Sequence, residues 1–231
     1  MMARLLACCC ACTILAALLV CPATAQSVSS EVGVVSDYRF RGVTLSDGHP
    51  AAQASLTLEH DSGLYGNLWG STLGHGSQTE IDLTAGYETE VSKIVSVDMF
   101  ATYYAYPSDG SANYVEATAV MKAVRGPASV SLGVSYVPPQ RGTRDEIGRK
   151  QGNSYVFGAV EYEVPKSPVS LKAGFGYERG WFDEVEHGGK RDWTLGGEVE
   201  LKPARFGLAY VGSNADGGDR HALIASLFLA W

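Results

Sequence analysis

Residues Trp193 to Lys202 read WTLGGEVELK, and their polarity alternates from one residue to the next. One face carries Trp193, Leu195, Gly197, Val199 and Leu201, and the other carries Thr194, Gly196, Glu198, Glu200 and Lys202. Side chains of a β-strand point alternately to its two faces. The stretch therefore predicts a strand with one apolar face and one charged face.

The same alternation recurs along the chain after residue 30, and helical periodicity is hard to find. It predicts twelve strands, near residues 30–40, 51–60, 64–73, 79–91, 94–106, 114–124, 128–137, 154–164, 169–178, 192–202, 206–211 and 220–231. The links between these strands are alternately long and short. Links that alternate in length are typical of outer-membrane barrels, which have short periplasmic turns and longer external loops. Nothing in a soluble β-sandwich requires its loops to alternate in length.

Composition and charge exclude several classes of protein. The chain has 231 residues, with 25 acidic and 18 basic side chains and a net charge of -7, so it lacks the basic surface of a nucleic-acid binder. No stretch after residue 26 approaches the roughly 20 consecutive apolar residues of a transmembrane helix. A membrane protein with this sequence must therefore be a β-barrel, because only helices and closed sheets satisfy their backbone groups in lipid.

The N-terminus has the features of a secretory signal peptide. Arg4 precedes an apolar run over residues 5–20, and the small residues around Ala23 and Ala25 suit signal peptidase. We predict a signal peptide over residues 1–25 and an outer-membrane β-barrel domain over residues 26–231. All five cysteines lie in the segment removed, so the exported domain has no disulfide. Lipidation at Cys21 is the alternative, but the bulky Val20 stands where a small residue is expected.

The C-terminus resembles the assembly signal of outer-membrane barrels. His221, Leu223, Ala225, Leu227 and Leu229 alternate on one face of the last predicted strand, which ends on Trp231. In a soluble protein such a strand would be buried in the core. Together with the signal peptide and the alternating link lengths, it indicates an all-β fold, an antiparallel up-and-down transmembrane β-barrel of about 12 strands in the cell outer membrane. Leu227, Leu229 and Trp231 are the predicted assembly signal, and the expected partners are outer-membrane lipids, lipopolysaccharide and the barrel-assembly machinery.

Several stretches of the first half resemble the TorF family of porins. They are VSDYRFRG (35–42), SDGHPAAQ (46–53), SGLYGNLWGS (62–71), EIDLTAGY (80–87) and YYAYP (103–107) leading to NYVE (113–116). The similarity is dense over the first half and thin after about residue 120. It implies a Gram-negative outer-membrane barrel that is classed as a porin by its architecture, with passive diffusion of small solutes. The family brings no established substrate and no catalytic residue.

Charged side chains on the predicted inward faces are the candidate pore lining. Asp37, Arg39 and Arg41 alternate at the end of the first predicted strand, and we expect them to form a charged constriction with Glu80 and Asp82. The alternative is that these groups pair and plug the barrel, because 12 strands fall between the filled barrels of about 8 strands and the open channels of about 16 to 18. An excess of acids on the inward faces predicts a weak preference for cations. The candidates are Asp37, Arg39, Arg41, Glu80, Asp82, Glu88, Glu116, Lys172, Glu198 and Glu200.

Other chemistry receives little support from the sequence. The clusters at residues 184–187 and 216–219 lack the spacing of a calcium loop, so no metal and no cofactor are predicted. The basic link 138–153 is either a solvated loop or a contact for anionic lipid head groups. His221 and Ser226 fall on opposite faces of one strand and cannot act as base and nucleophile, so the chain is not predicted to be an enzyme. The alternatives are a non-conducting structural or adhesive barrel and, less favoured, a lipid-modifying enzyme. The sequence gives no indication of the oligomeric state.

Overall fold

A computed structural model of the chain describes residues 26–74, 78–183, 185–216 and 220–231. In this part of the chain, no helix is long and apolar enough to span a bilayer. The predicted signal peptide and all five cysteines lie outside the described residues, so the boundary at residue 25 stays a prediction.

Twelve antiparallel strands close into a barrel, which confirms the predicted fold class. Strand β1 pairs with β4 on one side and with the last strand, β14, on the other, so the sheet has no free edge. The wall strands are β1 (Gln26–Val35), β4 (Ala51–His60), β5 (Leu64–Leu73), β6 (Gln78–Ser92), β7 (Val95–Ala105), β8 (Tyr114–Arg125), β9 (Ala128–Val137), β10 (Asn153–Glu163), β11 (Val169–Gly180), β12 (Lys190–Leu201), β13 (Ala204–Ser213) and β14 (His221–Ala230). Two short strands, β2 (Arg39–Phe40) and β3 (Val43–Thr44), form a separate hairpin.

The two rims of the barrel differ in the length of their links. One rim, the turn end, holds the start of β1, the end of β14 and the links 61–63, 93–94, 126–127, 164–168 and 202–203. The other rim, the loop end, holds the longer links, among them 36–50, 106–113, 138–152 and 181–189. The predicted alternation of link lengths is therefore present in the structure.

The barrel is apolar outside and polar inside. Leu195, Phe175 and Leu223 on the outward faces are 64%, 55% and 66% exposed, whereas buried side chains of the interior include Glu80, Glu116 and Glu178. This arrangement is the reverse of a soluble core and is that of a barrel whose outer surface meets lipid. A small hydrophobic cluster of Tyr104, Tyr114 and Val137 lies at the loop end.

The first strand differs from the prediction. It occupies residues 26–35 rather than 30–40, and residues 36–50, called the inner loop below, leave the wall and turn back as the β2–β3 hairpin. Arg41 and Gly42 have positive φ angles of 49° and 81°, which a continuous strand does not allow. Asp37, Arg39 and Arg41 thus belong to a loop, and the alternation there is that of the hairpin.

Candidate functional site

The inner loop crosses the interior of the barrel and is held at the opposite wall by Arg41. The guanidinium donates from Nη2 to both carboxylate oxygens of Glu116 on β8, at 2.7 Å each, and from Nη1 to Glu178 on β11. Along the closed sheet, β11 lies four strands from β1 in one direction and β8 five strands in the other. Arg41 therefore links the loop after β1 to the far side of the lumen.

These ion pairs are almost completely shielded from solvent. The side chains of Arg41, Glu116 and Glu178 are 8%, 5% and 0% exposed. Lys190 on β12 pairs with Glu178 at 2.7 Å, and Asn153 donates to the same carboxylate at 2.8 Å. Burial favours a lower pKa for Arg41, but the charges of Glu116 and then Glu178 outweigh it and raise the pKa above its ordinary value. Arg41 therefore remains charged and cross-links two wall strands.

Polar contacts within the inner loop fix its shape. Asp37 pairs with Arg39 and accepts hydrogen bonds from Thr44 Oγ1 at 2.6 Å and Ser46 Oγ at 3.2 Å. A Cβ added at Gly42 would come within 2.6 Å of the carbonyl oxygen of Gly212 on β13, so the hairpin lies directly against the wall there. The loop is therefore a packed part of the interior.

Aromatic side chains close the loop end around this hairpin. Phe40 packs edge-on against Tyr104 with ring centroids 6.0 Å apart, and Tyr104 stacks on Tyr114 at 4.5 Å. Phe182 covers Tyr114 at 4.9 Å. With the buried ion pairs, this cluster fills much of the loop-end half of the lumen with side chains.

The turn-end half of the lumen is open. A cavity of about 1090 Å³ there is lined by charged side chains of β10 to β13 and by Trp231. A second cavity of about 400 Å³ reaches the inner loop at Asp37 and Tyr38, and Lys172 and Glu198 line both cavities. Lys172 Nζ lies 2.8 Å from Glu198 and 3.5 Å from Glu161. The two cavities therefore share part of their lining and together extend from the turn end to the inner loop.

A known family matches most of this chain. Its model is described as a bacterial protein of unknown function, Gcw_chp, and it covers residues 20–222. The chain belongs to the Gcw_chp family. No curated protein matches the chain significantly.

Solved structures with a similar fold are outer-membrane channels. The KdgM porin superimposes with a TM-score of 0.61 at 11% identity, over 88% of this chain and 98% of that one. The NanC porin gives 0.60 at 10% identity over the same shares, and the COG4313 outer membrane channel from Pseudomonas putida F1 gives 0.52 at 12%, over 91% and 98%. One KdgM structure is described as a complex with disordered oligogalacturonate. At these identities the similarity shows the fold, a closed antiparallel β-barrel of the kind found in these channels.

The structure divides the predicted pore-lining residues between the two halves of the lumen. Those beside the inner loop are Asp37, Arg39, Arg41, Glu80, Asp82 and Glu116. Those lining the turn-end cavity are Lys172, Glu198 and Glu200, while Glu88 stands opposite Asp98 in the register of β6 and β7. Of the two arginines, Arg41 pairs with Glu116 and Glu178 and Arg39 pairs with Asp37, so the charged constriction with Glu80 and Asp82 stays a prediction.

Two basic residues of the interior are absent from the predicted pore lining. Lys190 is the first residue of β12 and Arg205 is the second residue of β13, two positions before the predicted start at 192 and one before that at 206. Arg205 pairs with Glu198 at 3.2 Å and also with Glu31 of β1. The signal was present, because extending the predicted strand at 192 backward by two residues and the one at 206 by one places both side chains on the inward face.

The remaining predicted features lie at the surface or outside the described residues. Leu227 and Leu229 are exposed on the outward face of β14. Trp231 follows the end of this strand, is 64% exposed, and lines the rim of the turn-end cavity together with Ala230. Ser226 lines the second cavity, which reaches the inner loop, while His221 lies beside Tyr210 on the outer side of the barrel. Glu184 and residues 217–219 of the two acidic clusters are outside the described residues, and the described ones contain no group of three metal-binding side chains.

Proposed function

We propose that this chain is an outer-membrane channel of the porin type, through which small hydrophilic solutes diffuse, with the inner loop as its constriction. The observation that carries the proposal is the charged cavity of the turn-end half. This cavity of about 1090 Å³ is lined by Lys172, Glu198, Glu200 and Arg205, and it shares Lys172 and Glu198 with the second cavity, which reaches the inner loop.

The orientation follows from the links. Short turns of outer-membrane barrels face the periplasm, so the turn end lies there and the inner loop lies near the external mouth. Export through the signal peptide at residues 1–25 fits this location. The outward apolar band then contacts lipids and lipopolysaccharide, and Leu227, Leu229 and Trp231 are presented to the barrel-assembly machinery. The finer assignment to TorF-family porins is supported by the motif at 35–42, which forms the constriction.

Charge on the walls favours cations. The inward-facing basic side chains Lys172, Lys190 and Arg205 of β11 to β13 are engaged in ion pairs. On the opposite wall, β6 carries Glu80, Asp82 and Glu88, which have no ion-pair partner among the described residues. An acidic passage with low-dielectric walls concentrates cations. We therefore expect small cations and neutral solutes to pass rather than an acidic oligosaccharide such as the one named for KdgM.

Recording from the refolded protein in a planar bilayer tests the proposal. We expect a small conductance and, under a KCl gradient, a reversal potential on the side of cation preference, stronger at low salt. Glu88→Gln should weaken the preference, whereas Glu146→Gln on the external link 138–152 should leave it unchanged. Anion preference would contradict the charge argument.

A closed structural barrel is the second candidate function. The buried ion pairs of Arg41 and the aromatic cluster around Tyr114 favour it, because both close the loop end. It predicts no conductance in the native protein and none after the inner loop has been displaced.

A further inference from the structure

Two inward-facing carboxylates of β6, the buried Glu80 and the half-buried Asp82, each have one oxygen without a partner, as does Asp192 on β12. Glu116, Glu178 and Asp37 each form an ion pair with an arginine or lysine. Glu80 is only 2% exposed, and its Oε1 accepts a hydrogen bond from the hydroxyl of Tyr106 at 3.1 Å. The hydroxyl of Tyr38 also hydrogen-bonds to this carboxylate. Oε2 of Glu80 and Oδ1 of Asp82 are buried and have no hydrogen-bond partner.

A cation from outside the chain would satisfy both of these unpaired oxygens. An ionised carboxylate that is removed from water without a partner is strongly unfavourable, and buried charges in proteins are therefore paired or bound to a metal. Among the described residues, none of the ion pairs includes Glu80 or Asp82. The two side chains are two positions apart on the inward face of β6, so their Cα atoms are about 7 Å apart.

Neutral oxygen ligands lie next to these carboxylates. Ser71 on β5 stands opposite Glu80 in the register, and Gln53 on β4 stands opposite Ser71. Both side chains are buried, and the amide of Gln53 donates to the hydroxyl of Ser71 at 3.4 Å. Carboxylate, amide and hydroxyl oxygens together with water are the ligands of hard divalent cations such as Ca²⁺.

We infer that Glu80 and Asp82 bind a hard divalent cation on the wall beside the inner loop, with Ser71, Gln53 and water completing its coordination. The cavity below the inner loop is lined by Gln53, Trp69 and Tyr38, so an ion from the turn end can reach this wall. The site requires no conduction through the barrel, so it stands or falls separately from the proposed channel.

Sensitised terbium luminescence tests the site. Tb³⁺ replaces Ca²⁺ in oxygen sites and emits when a nearby tryptophan is excited, and Trp69 stands opposite Asp82 in the register of β5 and β6. In the refolded protein in detergent, we expect Tb³⁺ emission that Ca²⁺ displaces. Trp69→Phe should reduce the emission while leaving the Ca²⁺ affinity, measured by calorimetry, unchanged.

The variants E80Q/D82N and E161Q form the matched comparison. Removing ligand charges should weaken binding by at least the roughly tenfold that loss of an outer-shell partner costs. Glu161 faces the same lumen but lies beside Lys172, so E161Q should bind as the native protein does. If the double variant does not refold, D82N alone should show the same loss.

Two results would overturn the inference. Native affinity in E80Q/D82N, or in D82N where that variant is used, would place the Tb³⁺ elsewhere. An absence of Ca²⁺-displaceable emission in the native protein would show that the carboxyl groups are neutralised by protons instead.

Discussion

Replacement of Arg41 by alanine isolates the contact that holds the inner loop across the lumen. The change leaves Glu116 without a basic partner among the described residues, while Glu178 keeps Lys190 and Asn153. Removing one partner of a buried ion pair costs about 3 to 5 kcal/mol. The change also removes the cation–π contact of Arg41 with the ring of Tyr155, whose centroid lies 4.0 Å away.

This free-energy cost applies only while the inner loop lies in its position across the lumen, which is called the seated state below. When the loop is displaced, water reaches Glu116, so the carboxylate is destabilised only while the loop remains in place. At about 1.4 kcal/mol per factor of ten, a loss of about 3 kcal/mol shifts the balance between seated and displaced loop about a hundredfold toward displacement. The wall strands keep their own hydrogen bonds, so the barrel itself should remain folded.

Two measurements detect displacement of the inner loop in the R41A variant. Planar-bilayer recording should show a larger conductance or more frequent openings in R41A than in the native protein. Limited trypsin digestion should cut the variant after Arg39, whose side chain is 2% exposed in the seated loop. R41K should lie between the two proteins, because lysine cannot make the bidentate contact with Glu116.

The matched control is R149A. Arg149 pairs with Asp145 at 2.9 Å on the exposed link 138–152, where water screens the pair, so neither readout should change. If R41A keeps native conductance and the native resistance to trypsin, Arg41 does not hold the loop, and the reasoning is refuted.

Three further predictions concern the constriction, the topology and the assembly signal. Gly42→Ala should open the channel as R41A does, because the new Cβ would meet the wall at 2.6 Å and φ is +81°, and an unchanged conductance would contradict the packing of the loop. A peptide tag at Gly148, where an added Cβ meets nothing closer than 4.0 Å, should bind antibody on intact cells, and labelling only after permeabilisation would reverse the topology. Leu229→Asp should reduce the amount of heat-modifiable barrel in outer-membrane fractions, because it places a charge on the lipid face, whereas Ala230→Asp, which lines the lumen, should be tolerated.

The walls of the barrel could be predicted from sequence because a strand is recognised by a local rule. Alternation over ten residues is enough to place Leu195 outside and Glu198 inside. The same rule mispredicted the inner loop as part of a strand, for a physical reason. Residues 38–41 alternate because they lead into a hairpin whose two turn residues, Arg41 and Gly42, both have positive φ. In the sequence, only the glycine is a signal of this reversal. The contact that fixes the hairpin joins Arg41 to Glu178, 137 positions away, and no local pattern contains it.

In the candidate functional site too, a local pattern predicts which face a side chain takes but not which distant residue it contacts. The inward face of Glu80 and of Glu116 follows from alternation, and in sequence the two residues look equivalent. Their difference arises from the stagger of the strands and the course of the inner loop, which bring Arg41 to Glu116 and leave Glu80 with Tyr106. Faces are therefore readable from sequence, whereas charge partners across the lumen require the closed barrel.

The position of Arg41 couples the opening of the lumen to its selectivity. In the seated loop one guanidinium neutralises charge on both Glu116 and Glu178, so this level of the passage is narrow and nearly balanced in charge. When the loop moves away, its positive charge leaves with it and both carboxylates face water in a wider passage. A displaced loop should therefore increase conductance and cation preference together, whereas a loop that acted only as a steric plug would increase conductance alone. The reversal potential of R41A, compared with that of Gly42→Ala, separates the two accounts. In G42A the arginine is kept, but it moves with the loop, so the same increase in cation preference is expected in both variants, and an increase confined to R41A would show that the loop stays in place and only its charge matters.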